Sequence, residues 1–214
     1  SHTSITINLV DSDETIGDSF ITVPDGVSVW IGDPDDAASM DNANKVRRAL
    51  RLGIDLQLIV DEVQSGIGRT LTNVINAFPG DPHWRDEFAI AYDPAEAKKL
   101  LAEAGYPGCF SFTMHVAPGK EWDVEVGGAV AQFWRDLGCE VTVDATDYGA
   151  ARPRLVNREK QIPWMIQAGT NANPDAFGAA SVFRPSGGFN YGIEVPNEIS
   201  EIAEQNLDLG ATTY

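Results

Sequence analysis

The most regular pattern of apolar and polar residues lies within residues 92–143, where helical and strand patterns alternate. The first helical pattern begins with favourable residues. Asp93 suits the N-cap, Pro94 suits the first helical position, and Glu96 completes a D-x-x-E capping box. The apolar face of this helix comprises Ala97, Leu100, Leu101 and Ala104. The spacing predicts an amphipathic helix that ends at Gly105.

A strand, a second helix and another strand follow in the same stretch. The first strand alternates apolar Phe110, Phe112, Met114 and Val116 with polar Ser111, Thr113 and His115. The second helix has an apolar stripe formed by Val126, Val130, Phe133, Trp134 and Leu137. Gly138 ends it, and Val141 and Val143 begin the next strand. A strand–helix–strand crossover joins parallel strands, so this stretch predicts an α/β fold.

Weaker patterns precede this stretch. Alternation predicts strands over residues 5–9 and 27–31, and the polar segment 32–44 predicts a loop. A helix is expected over residues 45–53, and Asp55 is expected to cap the next one. The arginines of the 45–53 helix, which we expect to face solvent, are Arg47, Arg48 and Arg51.

Further elements are predicted on either side of residues 92–143. Residues 67–91 contain few periodic positions and indicate a long surface excursion. A helix is expected near residues 148–158, interrupted or kinked by Pro153. Residues 163–168 predict a buried strand, and residues 196–207 predict a closing amphipathic helix.

Composition narrows the function. The chain has 214 residues, 43% of them hydrophobic, which is enough for one large domain or two small ones. Its net charge of −17 argues against nucleic acid and against anionic membrane surfaces as partners. No apolar run approaches the roughly 18 residues needed to span a bilayer.

Candidate catalytic chemistry is sparse. The histidines are His2, His83 and His115, and their spacing fits no zinc site. The aspartates Asp33, Asp35 and Asp36 are interpreted as a solvated loop. His115 is expected to be a partly exposed strand residue rather than a base. We therefore predict no enzyme, and no Ser, Cys or Asp within hydrogen-bond reach of His115 or His83 at the mouth of the parallel strands.

Two cysteines, Cys109 and Cys139, each come just before a predicted strand. If the strands are neighbours, their first residues lie about 5 Å apart, inside the roughly 4.4–6.8 Å that a disulfide requires between Cα atoms. A disulfide would favour an oxidising compartment. Two buried free thiols are the alternative, and the sequence leaves both open.

Several segments resemble a known family. They are KVRRALRLGID at residues 45–55, YDPAEAKKLLAEAGYP at 92–107, the WRDLG helix end at 134–138, the loop at 169–177 and Asn190-Tyr191. In this order and spacing, over about residues 27–208, the chain resembles the substrate-binding proteins of ABC importers of the dipeptide, oligopeptide and nickel class, known as extracellular solute-binding protein family 5.

The resemblance implies a periplasmic-binding-protein-like lobe, an α/β fold in which helices flank a mainly parallel sheet. Members have two lobes, and this chain resembles the second lobe only. Residues 4–208 are then a single α/β lobe, residues 1–3 a start with a cloning scar at Ser1-His2, and residues 209–214 a tail.

The function implied by the resemblance is capture of a small polar solute or peptide between two lobes and its delivery to the transmembrane subunits of an ABC permease. The implied location is periplasmic or extracellular, free or membrane-tethered. Neither a cofactor nor nucleic acid is expected. The alternatives are a binding domain coupled to a chemoreceptor or regulator, and an α/β enzyme domain.

The resemblance also implies ligand-binding positions in the loop after the buried strand. In peptide-binding members an Asp there pairs with the ligand's ammonium group, and the matching position here is Thr170. A hydroxyl cannot neutralise an ammonium, so Thr170, Asn171 and Asn173 favour an uncharged polar solute such as a sugar or an amide. Gln167 precedes them as a further candidate. Loop-capping hydrogen bonds are the alternative role of the two asparagines.

A second candidate region is the loop between the first strand and the long helix. Peptide-binding members can place a basic residue there for the ligand's carboxylate, which makes Lys120 and Trp122 candidates. Trp122 is equally suited to packing on the start of its own helix. Trp30 and Trp164 are interpreted as packing residues.

Overall fold

The computed structural model describes residues 3–9, 29–30, 32–33, 35–68, 70, 91–116, 118, 123–156 and 163–169. The predicted helix over residues 196–207 and most of the predicted excursion over 67–91 lie outside them. The elements in chain order are β1 (Thr3–Leu9), α1 (Ala37–Leu52), α2 (Leu56–Glu62), α3 (Pro94–Glu103), β2 (Ser111–Val116), α4 (Asp123–Leu137), β3 (Glu140–Asp144), α5 (Tyr148–Val156) and β4 (Pro163–Gly169).

One sheet contains the described strands in the order β1-β4-β2-β3. β2 runs parallel to both β3 and β4, and β1 lies antiparallel to β4 at the edge. The sheet is therefore mainly parallel with helices between its strands, and the predicted α/β class is confirmed.

The helix between β2 and β3 packs on the apolar face of β2. The ring centroids of Phe112 and Trp134 are 5.4 Å apart, and both side chains are fully buried. The indole Nε1–H of Trp134 donates to the carbonyl of Leu50 at 2.9 Å, which attaches α4 to α1. The predicted crossover unit is confirmed, since the alternation of β2 and the stripe of α4 supply the two surfaces that meet.

A disulfide joins Cys109 and Cys139, with their Cα atoms 4.7 Å apart. It lies at the amino ends of β2 and β3, where the backbone N–H of Glu140 donates to the carbonyl of Phe110. Of the two states that the sequence leaves open, the structure has the bonded one. The two cysteines are 30 residues apart, and the segment between them contains β2 and α4 and leads directly into β3.

The start of α3 follows the prediction only in part. The Asp93 carboxylate caps the helix by accepting from the N–H of Glu96 at 2.9 Å. In a complete capping box, Glu96 would accept from the N–H of Asp93 in return. That N–H instead donates to the carbonyl of Leu52, and the Glu96 carboxylate bonds Lys99. Asp93 therefore caps α3 and also ties it to the end of α1.

α1 begins earlier than predicted. The polar composition of residues 32–44 indicated a loop, but α1 starts at Ala37 after the N-cap Asp36, whose carboxylate accepts from the N–H of Ala38. Ala43 is buried, whereas the neighbouring residues of this first part are mostly exposed. A helix with one small apolar residue per two turns on its inner face lacks a clear apolar stripe, so its pattern resembles that of a polar loop.

Two other predictions near the start of the chain are wrong. Val29 and Trp30 form part of a turn rather than a strand, although both are buried as packing residues. Arg47 and Arg51 are only partly exposed, and burial lowers the pKa of both guanidinium groups. Arg47 donates to the carbonyl of Trp30 and to the side chain of Asn44, so it is drawn toward the turn.

The second predicted N-cap is confirmed. Asp55 accepts from the N–H of Leu58 at 3.0 Å and begins α2. Within the described ranges, no helix combines the length and apolarity that crossing a membrane requires.

Candidate functional site at the carboxyl edge of the sheet

The carboxyl ends of β2, β3 and β4 are at Val116, Asp144 and Gly169, and we call them the carboxyl edge. The three strands are parallel, so their carboxyl ends lie at the same edge of the sheet. In open α/β sheets, ligands bind outside the carboxyl ends of the strands. This edge is therefore where the fold favours a binding site.

Two strands end level at this edge and the third extends further. His115 of β2 lies opposite Asp144 of β3, while Val116 lies opposite Met165 of β4. β4 continues for four residues beyond that pair, to Gly169, and there it pairs with β1. The projecting part of β4 forms a step beside the end of β2.

The predicted ligand residues follow these strand ends in the chain. Gln167 lies in the projecting part of β4, opposite Ile5 of β1. Thr170, Asn171 and Asn173 come after Gly169, and Lys120 and Trp122 come after Val116. These five positions lie outside the described residues, so their role in binding stays a prediction.

A row of polar residues crosses one face of β2 and β3. We call it the polar ladder, and its cross-strand pairs are Ser111–Glu140, Thr113–Thr142 and His115–Asp144. The Ser111 hydroxyl donates to Glu140 Oε2 at 2.7 Å at the amino end. The β2 residues change from partly buried to fully buried toward the carboxyl edge. The ladder therefore leads from a solvated end to an enclosed polar end.

The enclosed end has a defined geometry. His115 Nδ1 lies 3.4 Å from Asp144 Oδ2, which is longer than the roughly 2.7–3.2 Å of common N–H···O hydrogen bonds. The Thr146 hydroxyl donates to Asp144 Oδ1 at 2.8 Å. The His115 side chain is 0% exposed and that of Asp144 is 36% exposed. The carboxylate thus stands at the surface with the imidazole behind it.

Two predictions about His115 are wrong. The alternation of β2 places it on the second face of the sheet, but that face is covered at this point, so the ring is buried and not partly exposed. An Asp also lies within hydrogen-bond reach of it, since β2 and β3 end in register.

The His–Asp pair does not by itself form a catalytic site. An aspartate beside Nδ1 orients an imidazole, and catalysis of acyl transfer further requires a nucleophile and access for the substrate. Full burial denies the His115 ring contact with solvent. The chemistry that the exposed part of this group offers is that of a carboxylate, which accepts hydrogen bonds and attracts cations.

Asp123 is a buried carboxylate that follows β2 in the chain. It is the first residue of α4 and is 6% exposed. Negative charge is favourable at a helix N-terminus, where backbone N–H groups point outward. Across the described part of the chain, no three His, Cys, Asp or Glu side chains come together as a metal site would require.

Sequence reasoning did not identify His115, Asp144 and Thr146 as one group. A signal for it existed, because Cys109 and Cys139 sit just ahead of their strands. His115 lies six residues after Cys109 and Asp144 lies five residues after Cys139, so the cysteine positions predict that these two residues are near neighbours. How deeply the side chains at each strand end are buried depends on elements elsewhere in the chain. The alternation within a strand does not contain that information.

Comparisons with known proteins give a consistent result. Residues 6–191 match the family described as bacterial extracellular solute-binding proteins, family 5 Middle. Heme-binding protein A of Haemophilus influenzae is 29% identical over 145 residues, which are 65% of this chain and 26% of that protein. The dipeptide-binding protein of Escherichia coli K12 is 29% identical over 138 residues, 62% of this chain and 25% of that protein.

The fold comparison agrees. A solved chain described as the peptide-binding protein of a peptide ABC transporter superposes with a TM-score of 0.61 at 19% identity, covering 85% of this chain and 84% of that one. The predicted periplasmic-binding-protein-like fold is confirmed by this likeness. The chain spans about a quarter of the length of the two curated relatives that it matches.

Proposed function

Since this chain belongs to the bacterial extracellular solute-binding proteins of family 5, we propose that it forms one wall of the solute site in the binding component of an ABC importer. The relatives named above are described as binding proteins, one for heme and one for dipeptides. The proposed role is to capture a small polar solute or a peptide and deliver it to the transmembrane subunits of a permease.

The observation that supports this most is the convergence of the three parallel strand ends at the carboxyl edge. Polar side chains occupy that edge, at His115, Asp144 and Thr146, whereas the opposite face of β2 is apolar core. Burying polar side chains lowers stability unless they are hydrogen-bonded. A group of polar side chains at this edge, with one carboxylate reaching solvent, is therefore better explained by ligand binding than by packing.

The proposed ligand contacts from the loops are Thr170, Asn171 and Asn173, together with Gln167, Lys120 and Trp122. Hydroxyl and amide groups donate and accept hydrogen bonds without charge. From these loops alone, the ligand is a polar solute with few charges, or a peptide whose amino terminus is not held by residue 170.

We further propose that residues 4–208 are one lobe and that a second lobe of the same protein closes on the solute. A solute that binds the closed form more tightly than the open form drives such a hinge movement. The short coverage of the relatives fits this arrangement. The proposed location is outside the cytoplasmic membrane, free or tethered, and the Cys109–Cys139 disulfide fits an oxidising compartment.

The test is a thermal-shift screen of the full-length protein against peptides, mono- and disaccharides, opines and metal chelates. A solute at 100 times its Kd stabilises by about 2.7 kcal/mol, which raises the Tm of a domain of about 150–250 residues by about 5–10 °C. The expected result is such a shift with an uncharged polar solute. A panel without any shift would contradict the proposed function.

The same screen checks the role of Thr170. Thr170→Asp places a carboxylate in the loop after β4 and is expected to shift preference toward ammonium-bearing ligands. Asp136→Asn, which changes an exposed residue in the last turn of α4, ahead of the amino end of β3, serves as a charge control. A strong shift of the unmodified protein with ordinary dipeptides would contradict the loop-based ligand class.

Two other functions are distinguishable. A binding domain coupled to a chemoreceptor or regulator would bind a solute in the same screen but would not bind a permease in a pull-down with the transporter subunits. An α/β enzyme domain is favoured by one observation, the His115–Asp144 pair. An enzyme domain would convert its ligand to a product. If every solute found in the screen is recovered unchanged after long incubation with the protein, that result argues against an enzyme.

A further inference from the structure

We propose that Arg135 keeps the outer edge of β3 from pairing with a second copy of this chain. The outer edge is the side of β3 that faces away from β2, and β3 is the last strand of the described sheet on that side. This inference goes beyond the proposed function, because it concerns self-association rather than solute binding.

The register of β3 determines which of its backbone groups form the outer edge. The N–H of Glu140 donates to the carbonyl of Phe110, so residue 140 faces β2. Consecutive residues of a strand direct their backbone groups to opposite sides, so Val141 and Val143 face the outer edge. Their N–H and C=O groups are the ones that an added strand would bond.

A side chain of α4 already occupies one of these groups. Arg135 lies in the last turn of α4, and its Nε and Nη2 both donate to the carbonyl of Val141, at 3.2 and 2.5 Å. A guanidinium group holds its N–H donors in a rigid planar fork. The carbonyl that an incoming strand would need as an acceptor is therefore bonded by two donors of its own chain.

The outer edge of β3 fits a second copy of the same strand. Its residues Val141, Thr142 and Val143 have high β-propensity, and they are symmetric about residue 142. In an antiparallel β3–β3 pair centred on Thr142, Val141 lies opposite Val143 of the second copy. Each Val141 carbonyl would then accept from a Val143 N–H. Half of the hydrogen bonds of such a pair thus require the acceptor that Arg135 occupies.

Charge on this strand acts in the same direction. Glu140 is exposed at the start of β3, and the net charge of −17 on the chain opposes the close approach of two copies. Natural proteins prevent edge strands from pairing by placing charged side chains on them and by covering their backbone groups. A bonded carbonyl and a charged strand therefore indicate the same role.

The experiment measures self-association of the full-length protein by sedimentation equilibrium. Arg135→Ala frees the Val141 carbonyl in each copy and is expected to tighten dimerisation at least about ten-fold, because two hydrogen bonds become available. The matched control is Arg48→Ala, which removes the same charge from an exposed position of α1 and is expected to leave association unchanged. Loss of a positive charge alone would increase repulsion between these acidic chains, so it does not explain a tighter dimer.

A crosslink identifies the strand that pairs. Thr142 lies at the centre of the expected pair, where opposed Cα atoms are about 4.5 Å apart, a distance that a disulfide spans. Under mild oxidation, Thr142→Cys is expected to join two copies in the Arg135→Ala background and to stay largely uncrosslinked when Arg135 is intact. Val143→Pro removes an N–H of the outer edge, and proline is tolerated on edge strands. It is expected to return Arg135→Ala to the association of the parent protein.

The outcomes decide the inference in either direction. Equal association of Arg135→Ala and Arg48→Ala would overturn it. Tighter association without the Thr142→Cys crosslink would overturn it as well, since that pattern indicates contact through another surface. If Arg135→Ala does not fold, Arg135→Met, which retains an unbranched side chain without a donor, takes its place with the same expected result. The solute screen tests the proposed function separately, because it measures binding and not association.

Discussion

The two ends of the β2–β3 pair have different chemistry. At the amino end, the Cys109–Cys139 disulfide joins the strands covalently and Gly138 packs against the backbone. A Cβ at position 138 would lie 3.2 Å from the carbonyl oxygen of Gly108, and its φ of 110° also favours glycine. At the carboxyl end, His115 and Asp144 meet through a long polar contact.

This difference indicates that the two ends of the β2–β3 pair have different roles. The amino end is fixed by a covalent bond and close backbone contacts, which contribute to stability. The carboxyl end places polar groups where loops begin, and such loops bind ligands because the strands beneath them are rigid. Changes at the amino end should therefore affect unfolding, and changes at the carboxyl end should affect binding.

The largest expected effect comes from removing the disulfide. In the variant Cys109→Ala/Cys139→Ala, the free energy of unfolding is expected to fall by about 2–4 kcal/mol, because the unfolded chain is no longer constrained. Denaturant unfolding followed by tryptophan fluorescence measures this change. Affinity for the solute found in the screen is expected to stay unchanged at temperatures where the variant is folded.

A reducing agent provides the control for this prediction. It should destabilise the parent protein by a similar amount and leave the double variant unaffected. Equal stability of parent and variant, or a large loss of affinity in the folded variant, would contradict the division between the two ends.

A smaller effect is expected at the cap of α3, the helix that leads into Cys109. Asp93→Ala removes the bond to the N–H of Glu96 and is expected to cost about 1 kcal/mol. Glu96→Ala is the matched comparison and should stay within about 0.5 kcal/mol, because the Glu96 carboxylate bonds the exposed Lys99. Urea unfolding of both variants measures the difference, and equal costs would indicate a complete capping box.

The sequence predicts the crossover unit well and the polar edge poorly, for physical reasons. α3 has a clear N-cap, and both α3 and α4 have glycine ends and apolar stripes, so their positions follow from local signals. β2 and β3 alternate clearly, so their pairing follows as well. These elements are local in the chain, and their patterns agree with their tertiary packing.

The errors occur where burial depends on distant parts of the chain. His115 alternates like a surface residue, and only the covering of the second face makes it buried. Arg47 was expected to face solvent, but the carbonyl of Trp30 lies within its reach. The start of α1 was missed because alanines between polar residues give a helix no stripe. Thr170, Asn171 and Asn173 remain predictions.

The most direct test of the central claim is a map of amide chemical-shift changes when the solute from the screen is added to isotope-labelled protein. The carboxyl edge is expected to respond, at residues 115–123, 144–147 and 167–173. The amino end, at residues 109–111 and 139–140, should remain unchanged. Shifts confined to the amino end, or spread evenly over both ends, would contradict the assignment of solute binding to the carboxyl edge.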